Sequence, residues 1–175
     1  MNAAWHDAHP TMTDPRPTMS HVAADGSARM VDVAAKPVTE RMARAEGFVR
    51  ISAELERQIL ENTVKKGSVL EVARLAGMQA SKRTDELIPL CHPLPLDSVE
   101  VRASVEPGRV RVEATARATA RTGVEMEALT AVSVACLTVI DMGKAVDRAM
   151  VIEGVRLLEK TGGQHGDWRA PESRA

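Results

Sequence analysis

Apolar residues between Gly123 and Met150 recur at alternating three- and four-residue steps, through Leu129, Val132, Cys136, Val139, Val146 and Met150, with Gly143 on the same stripe. That period puts them on one face of a helix. The stretch also lacks proline, so it predicts a long buried helix. Thr122 and Glu125 at its start read as a capping box, in which hydroxyl and carboxylate each satisfy a free backbone amide. Upstream, Val99, Val101, Ala103 and Val105 alternate with Glu100, Arg102 and Ser104. After Pro107 and Gly108 the alternation resumes at Val110, Val112, Ala114, Ala116 and Ala118. A period of two on both sides of a turn predicts an antiparallel hairpin with one buried face.

Phe48, Val49 and Ile51 mark a strand over Glu46 to Ser52, and Ser52 caps a helix running to about Asn62 with Leu55, Ile59 and Leu60 inward. Lys65, Lys66 and Gly67 form a turn. Ser68 and Glu71 make a second capping box, ahead of a helix packed through Val69, Val72, Ala73, Ala76 and Ala80. Pro89, Pro93 and Pro95 break regular structure, leaving Leu87 to Leu96 as an extended loop that presents Cys91 and His92. A last strand covers Gly154 to Glu159. The order strand, helix pair, strand, strand, helix, strand is that of an α+β ferredoxin-like sandwich, an antiparallel sheet with helices packed on one face. Pro10, Pro15 and Pro17 and the lack of periodicity make residues 1–25 a disordered leader, followed by a single domain over 26–162 and a flexible tail over 163–175.

With 175 residues the chain suits one domain with a proper core. The net charge of -1, from 23 basic and 24 acidic residues, excludes coating of nucleic acid by bulk charge. The aromatic residues are Trp5, Phe48 and Trp168, which leaves no base-stacking platform for single strands. The charge-free run Ala128 to Ile140 is too short for a bilayer and no secretory pattern opens the chain, so the expectation is a cytoplasmic protein, with Cys91 and Cys136 as reduced thiols.

Phosphate-binding, dinucleotide, zincin and nucleophile-elbow signatures are absent. What remains is a scattered polar set, and each member has an ordinary explanation. Lys66 suits a solvated turn, Lys82 can pair with Glu86 one helical turn on, and Glu125 and Glu127 suit the field of a helix N-terminus. Asp141 and Lys144 stand three apart and so share a face. Taken together, lysines, carboxylates and a histidine without a metal or nucleophile signature point to acid–base chemistry on an anionic small molecule.

Longer motifs are more specific. Met-Val-Asp-Val at 30–33, Lys-Arg-Thr at 82–84, Leu-Ile-Pro-Leu-Cys-His-Pro-Leu at 87–94, Thr-Gly-Val-Glu-Met-Glu-Ala-Leu-Thr-Ala at 122–131 and Asp-Met-Gly-Lys at 141–144 closely resemble the cyclic pyranopterin monophosphate synthases of molybdenum cofactor biosynthesis. The likeness runs from about His21 to Asp167. Gly143 departs from the cysteine common in that family. The resemblance implies a lyase that rearranges (8S)-3',8-cyclo-7,8-dihydroguanosine 5'-triphosphate and closes a cyclic phosphate with loss of diphosphate. It also implies a homohexamer, a trimer of dimers with sites at subunit interfaces.

On this resemblance Asp141, Lys66 and Lys144 are the catalytic residues, the lysines partly buried beside other cations and Asp141 a base that also orients Lys144. Leu90, Cys91, His92, Met126 and Glu127 match the family's substrate-binding segments. Glu125 and Glu127 suit the N–H edge of a guanine-derived ring. Arg41, Lys36 and Lys82 are the candidate phosphate holders, Arg41 favoured for its planar fork, and Asp32 completes the set. No cofactor is required, and Mg2+ enters only with the triphosphate. The alternative is a non-catalytic pterin- or nucleotide-phosphate-binding protein on the same fold, which needs neither Lys66 nor Lys144. A purely structural oligomerisation domain leaves the proline-bounded loop unexplained.

Overall fold

The computed structural model describes residues 21–22, 25–163 and 166–171. The chain forms two compact units, Met1–Val31 and Asp32–Ala175. In the first, Gly26 adopts φ 83 and Val22 bridges Ala28; residues 1–20, 23 and 24 of the expected leader lie outside the described residues.

The second unit runs β1 (Thr39–Arg50), α1 (Ala53–Leu60), α2 (Val69–Ser81), a single-turn α3 (Thr84–Leu87), β2 (Ser98–Glu106), β3 (Arg109–Ala120), α4 (Glu125–Gly143), β4 (Val151–Thr161) and β5 (Trp168–Arg169). The strands form one five-stranded sheet in the order β2-β3-β1-β4-β5, antiparallel at every pairing. This is a ferredoxin-like α+β arrangement. β4 follows β1 through two register shifts, between Arg44 and Ala45 and between Glu46 and Phe48.

The alternation in the hairpin becomes burial. Val101, Val110, Val112, Ala114, Ala116 and Ala118 are at most 2% exposed, and Ala43, Ala45 and Val49 of β1 share their face. α4 lies across that face with Ala128, Ala131, Val132, Ala135, Cys136 and Val139 fully buried. Each buried valine contributes roughly 1.5–3 kcal/mol relative to an exposed one. By length and composition α4 passes for a membrane span, yet its apolar surface forms the core of this domain. α2 packs directly on α4 because Gly77 has no side chain: a Cβ there would stand 2.8 Å from the Ala131 carbonyl oxygen.

Several local expectations change. α4 begins at Glu125 with Val124 in the N-cap position and no side-chain cap bond, so the capping box with Thr122 is not formed. Val124 is buried as part of the core, and Glu125 is engaged elsewhere. The helix ends at Gly143, where the amides of Val146 and Asp147 both turn back to the Gly143 carbonyl; Val146 and Met150 therefore lie beyond it. Ser68 makes no side-chain cap bond, and Glu71, its expected partner in the box, is bound to Arg74 at 2.7 Å instead. Ser52 does cap α1, accepting from the Leu55 amide at 3.3 Å. Leu60 is 67% exposed and Val72 also faces out, so α1 and α2 bury narrower stripes than their sequences suggest. Residues 168–169, placed in the tail by sequence, return as β5 on the edge of β4.

Among the described residues no helix covers the opposite face of the sheet. There Glu46 is buried beneath Arg111 at 2.8 Å and Arg156 at 2.7 Å. Burial raises the affinity of this carboxyl for a proton, but the two guanidinium groups more than offset that, leaving it below the usual carboxylate range.

Candidate functional site

The residues singled out by sequence gather at the two ends of α4. At its C-terminal end, Asp141 and Lys144 are one helical turn apart and Lys144 Nζ donates to Asp141 Oδ1 at 2.7 Å. Lys66 arrives from the connection between α1 and α2, where Asn62 at φ 53 and Gly67 at φ 94 reverse the chain. Its Nζ donates to Asp141 Oδ2 at 2.9 Å and to the Asp141 carbonyl at 2.7 Å. Both ammonium groups therefore bind one carboxylate. Hydrogen bonds from Lys144 and then Lys66 hold the Asp141 carboxyl down to about 2. In this arrangement the Asp141 carboxylate is ionised, with one oxygen held by each ammonium group. Each lysine thus stands beside another cation, as expected, but the side chains are 45% and 60% exposed, so a single chain leaves this cluster more open to solvent than expected.

At the N-terminal end, Glu127 is 4% exposed and no cation pairs with it among the described residues. Burial, reinforced by the nearby charges of Glu125 and Asp85, pushes its carboxyl up to about 7, against a lowering contribution from its own backbone amide. Cys91 is close enough for its thiol to be raised first by burial and then by Glu127 and Asp85. The placement of this loop is local. Ser81 Oγ bonds the Met78 carbonyl and Thr84 Oγ1 the Ser81 carbonyl, ending α2, and Cys91 N–H turns back to the Ile88 carbonyl. Leu90, Cys91 and His92 are half-buried, and Met126 is at the surface. Both cysteines are free thiols.

Glu125 pairs with Lys160 of β4 at 3.0 Å. Arg41 enters from the start of β1 and is 9% exposed. Its Nε reaches the Ala120 carbonyl at 3.4 Å, and it has no carboxylate partner among the described residues. Gly162 and Gly163, at φ 85 and 89, lie directly over it; a Cβ on Gly163 would overlap the guanidinium. On the same face of β1, the Thr39 hydroxyl is buried without a partner.

Other expected members stay apart. Asp32 Oδ1 accepts from the Ala34 amide at 2.8 Å, Lys36 is half-buried, and Lys82 is exposed at the C-cap of α2. Among the described residues no three histidine, cysteine or acidic side chains converge as a metal site. The 16 residue steps from Glu125 to Asp141 separate the two clusters by about 24 Å along the helix. Sequence reasoning missed Lys160 and Thr39. Lys160 sits in an ordinary strand pattern, and only the fold brings it to Glu125.

An acidic group clasped by two lysines at one end of a core helix, and a buried, cation-free carboxyl at the other, mark a small-molecule enzyme built on a ferredoxin-like sandwich. The MoaC family model matches residues 30–163, and the chain belongs to that family. It is 55% identical over 154 residues to the cyclic pyranopterin monophosphate synthase of Parvibaculum lavamentivorans, covering 87% of this chain and 96% of the relative. It is likewise 55% identical over 150 residues to the enzyme of the same name from Corynebacterium efficiens, covering 86% of this chain and 97% of the relative.

Proposed function

We propose that this chain is a cyclic pyranopterin monophosphate synthase, a lyase of molybdenum cofactor biosynthesis acting on (8S)-3',8-cyclo-7,8-dihydroguanosine 5'-triphosphate. The observation that carries the proposal is the bonding of Lys66 and Lys144 to the single carboxylate of Asp141. Rearranging the ring system breaks and remakes C–N bonds and needs a proton donor and an acceptor in fixed positions. Asp141 sets the spacing of the two amino groups, and substrate binding between them frees each to exchange a proton. In the second stage a hydroxyl oxygen attacks the α-phosphorus and loses its proton. The P–O bond to the β-phosphate breaks, and diphosphate leaves.

Negative charge on the departing group requires fixed cations. Arg41 is the strongest holder by geometry, being buried and free of a carboxylate among the described residues, with Lys36 and Lys82 as further contacts. Glu127, poised near neutrality, offers a proton or a lone pair to the guanine-derived ring beside Cys91 and His92. Any Mg2+ arrives on the phosphate oxygens rather than on protein groups. The separation of the two clusters along α4 supports sites that each combine the C-terminal end of one α4 with the N-terminal end of another, and we propose that the chain assembles in this way as a homohexamer of three dimers, in the cytoplasm.

The test is incubation with the cyclised triphosphate while following diphosphate and the fluorescent oxidised pterin. The parent should form both, and folded Lys66→Ala and Asp141→Asn variants should form little. Tight binding by the parent without turnover would refute the enzyme and leave a silent binding protein.

A further inference from the structure

We infer that Asp147 is a positioning residue for the reaction, fixing the seat of α1 against the end of α4 and thereby the approach of Lys66 to Asp141. The inference rests on the proposed roles of Lys66, Asp141 and Lys144. Asp147 lies three residues beyond Lys144, is 9% exposed and carries no catalytic contact of its own. Its Oδ2 accepts from the Ser52 backbone N–H at 2.7 Å, and its Oδ1 from the Ala149 N–H at 2.9 Å. Ser52 is the N-cap of α1, so the first bond joins the start of α1 to the turn that carries Lys144.

A second fastening lies alongside. Leu55, fully buried one turn into α1, fills the space over Gly143: a Cβ at 143 would stand 2.6 Å from Leu55 Cδ2. On its outer side α1 is tied to the hairpin turn, because Glu56 Oε2 accepts from the Gly108 N–H at 2.9 Å. α1 is thus a short strut fixed at its N-terminal end. Lys66 leaves its other end and returns to Asp141, closing a circuit through Ser52, α1, Lys66, Asp141 and Asp147. A change at the Ser52–Asp147 joint therefore shifts the ammonium group of Lys66 relative to that of Lys144, while the substrate-binding cluster at the other end of α4 stays where it is.

The test uses the full-length protein in its native assembly, with steady-state diphosphate release from the cyclised triphosphate. Asp147→Asn retains the shape but offers one acceptor oxygen to two N–H donors, so the Ser52 or the Ala149 amide is left facing an NH2 group and the joint between them is broken on one side. It should lower kcat about 10- to 100-fold, the order that a displacement of about 1 Å costs, and leave KM unchanged. On a Lys144→Arg background, where the alignment is already disturbed, the same substitution should lower kcat by a much smaller factor. Equal factors on the two backgrounds, a loss that follows the folded fraction, or an unchanged kcat each overturn the inference. If Asp147→Asn does not fold, Leu55→Val addresses the same joint by loosening the contact of α1 with the end of α4 while leaving the Asp147 bonds intact; a lower kcat at constant KM supports the inference and an unchanged kcat overturns it. Full activity in Lys66→Ala would instead overturn the underlying site assignment, and with it this inference.

Discussion

Glu127→Gln isolates the consequence of burying an acidic group without a cation. Glu127 is 4% exposed, and its carboxyl rises from 4.5 to about 7, through burial first and then through Glu125 and Asp85. Between these values the folded chain binds a proton that the unfolded chain has released. The stability associated with the neutral acid is therefore complete below the unfolded value and declines as pH rises through about 7. The interval, 7 minus 4.5, is 2.5 pH units, which corresponds to roughly 3–4 kcal/mol at about 1.4 kcal/mol per unit. Glutamine has nearly the same shape and does not titrate. Urea unfolding of parent and variant at a series of pH values from about 5 to about 8 should show nearly equal stability at the acid end and a gap approaching 3–4 kcal/mol in favour of the variant at the basic end. Because the other ionisable groups are common to both proteins, they cancel in the difference. Parallel curves would refute the reasoning, since they would mean that a cation outside the single chain neutralises Glu127 in solution.

Gly77→Ala gains up to about 1 kcal/mol of helix propensity, yet its Cβ would stand 2.8 Å from the Ala131 carbonyl. Forcing α2 off α4 should cost about 1–3 kcal/mol, so a calorimetric melt should move down, and a rise would contradict the close approach. Glu46→Ala leaves Arg111 and Arg156 without their shared acceptor. Their side chains are 32% and 40% exposed and can rehydrate, so the expected loss is about 2 kcal/mol, below the 3–5 of a fully buried pair; a denaturant midpoint unchanged from the parent would show that the clamp contributes nothing. Finally, Lys144→Ala and Glu127→Ala subunits, each inactive alone, should recover roughly a quarter of the activity when unfolded and reassembled together. Half of random pairings are mixed, and each mixed pair holds one intact site. An absence of recovery in properly reassembled protein would place both ends of α4 in separate functions.

The fold was legible where a period is imposed by the core. β3 buries every second residue from Val110 to Ala120, and that alternation stands in the sequence unmixed. α4 was legible as an element but not in its limits, because apolar residues continue past Gly143 into the turn that leads to β4. The capping boxes are not formed, and the carboxylates expected in them have other partners in the folded chain, Lys160 for Glu125 and Arg74 for Glu71. β5 was invisible because a two-residue strand carries no period.

The candidate site divides along the same line. Asp141 and Lys144 are neighbours by helical spacing, so their pairing follows from sequence alone. Lys66 is 75 residues distant from Asp141 in the chain, and nothing local says that the turn between α1 and α2 ends there. The state of Glu127 was equally hidden, since a first-turn glutamate ordinarily faces solvent and is stabilised as an anion. Here α4 is rotated so that its first turn enters the core, with Ala128 and Ala131 buried beside Glu127. That rotation follows from packing the long apolar side of α4 on β1 and β3, and Glu127 is carried inward with it. The charge that a helix N-terminus would favour is thus opposed by the burial the same helix requires, and the outcome is a carboxyl balanced near neutral pH at the place where the substrate ring is proposed to bind.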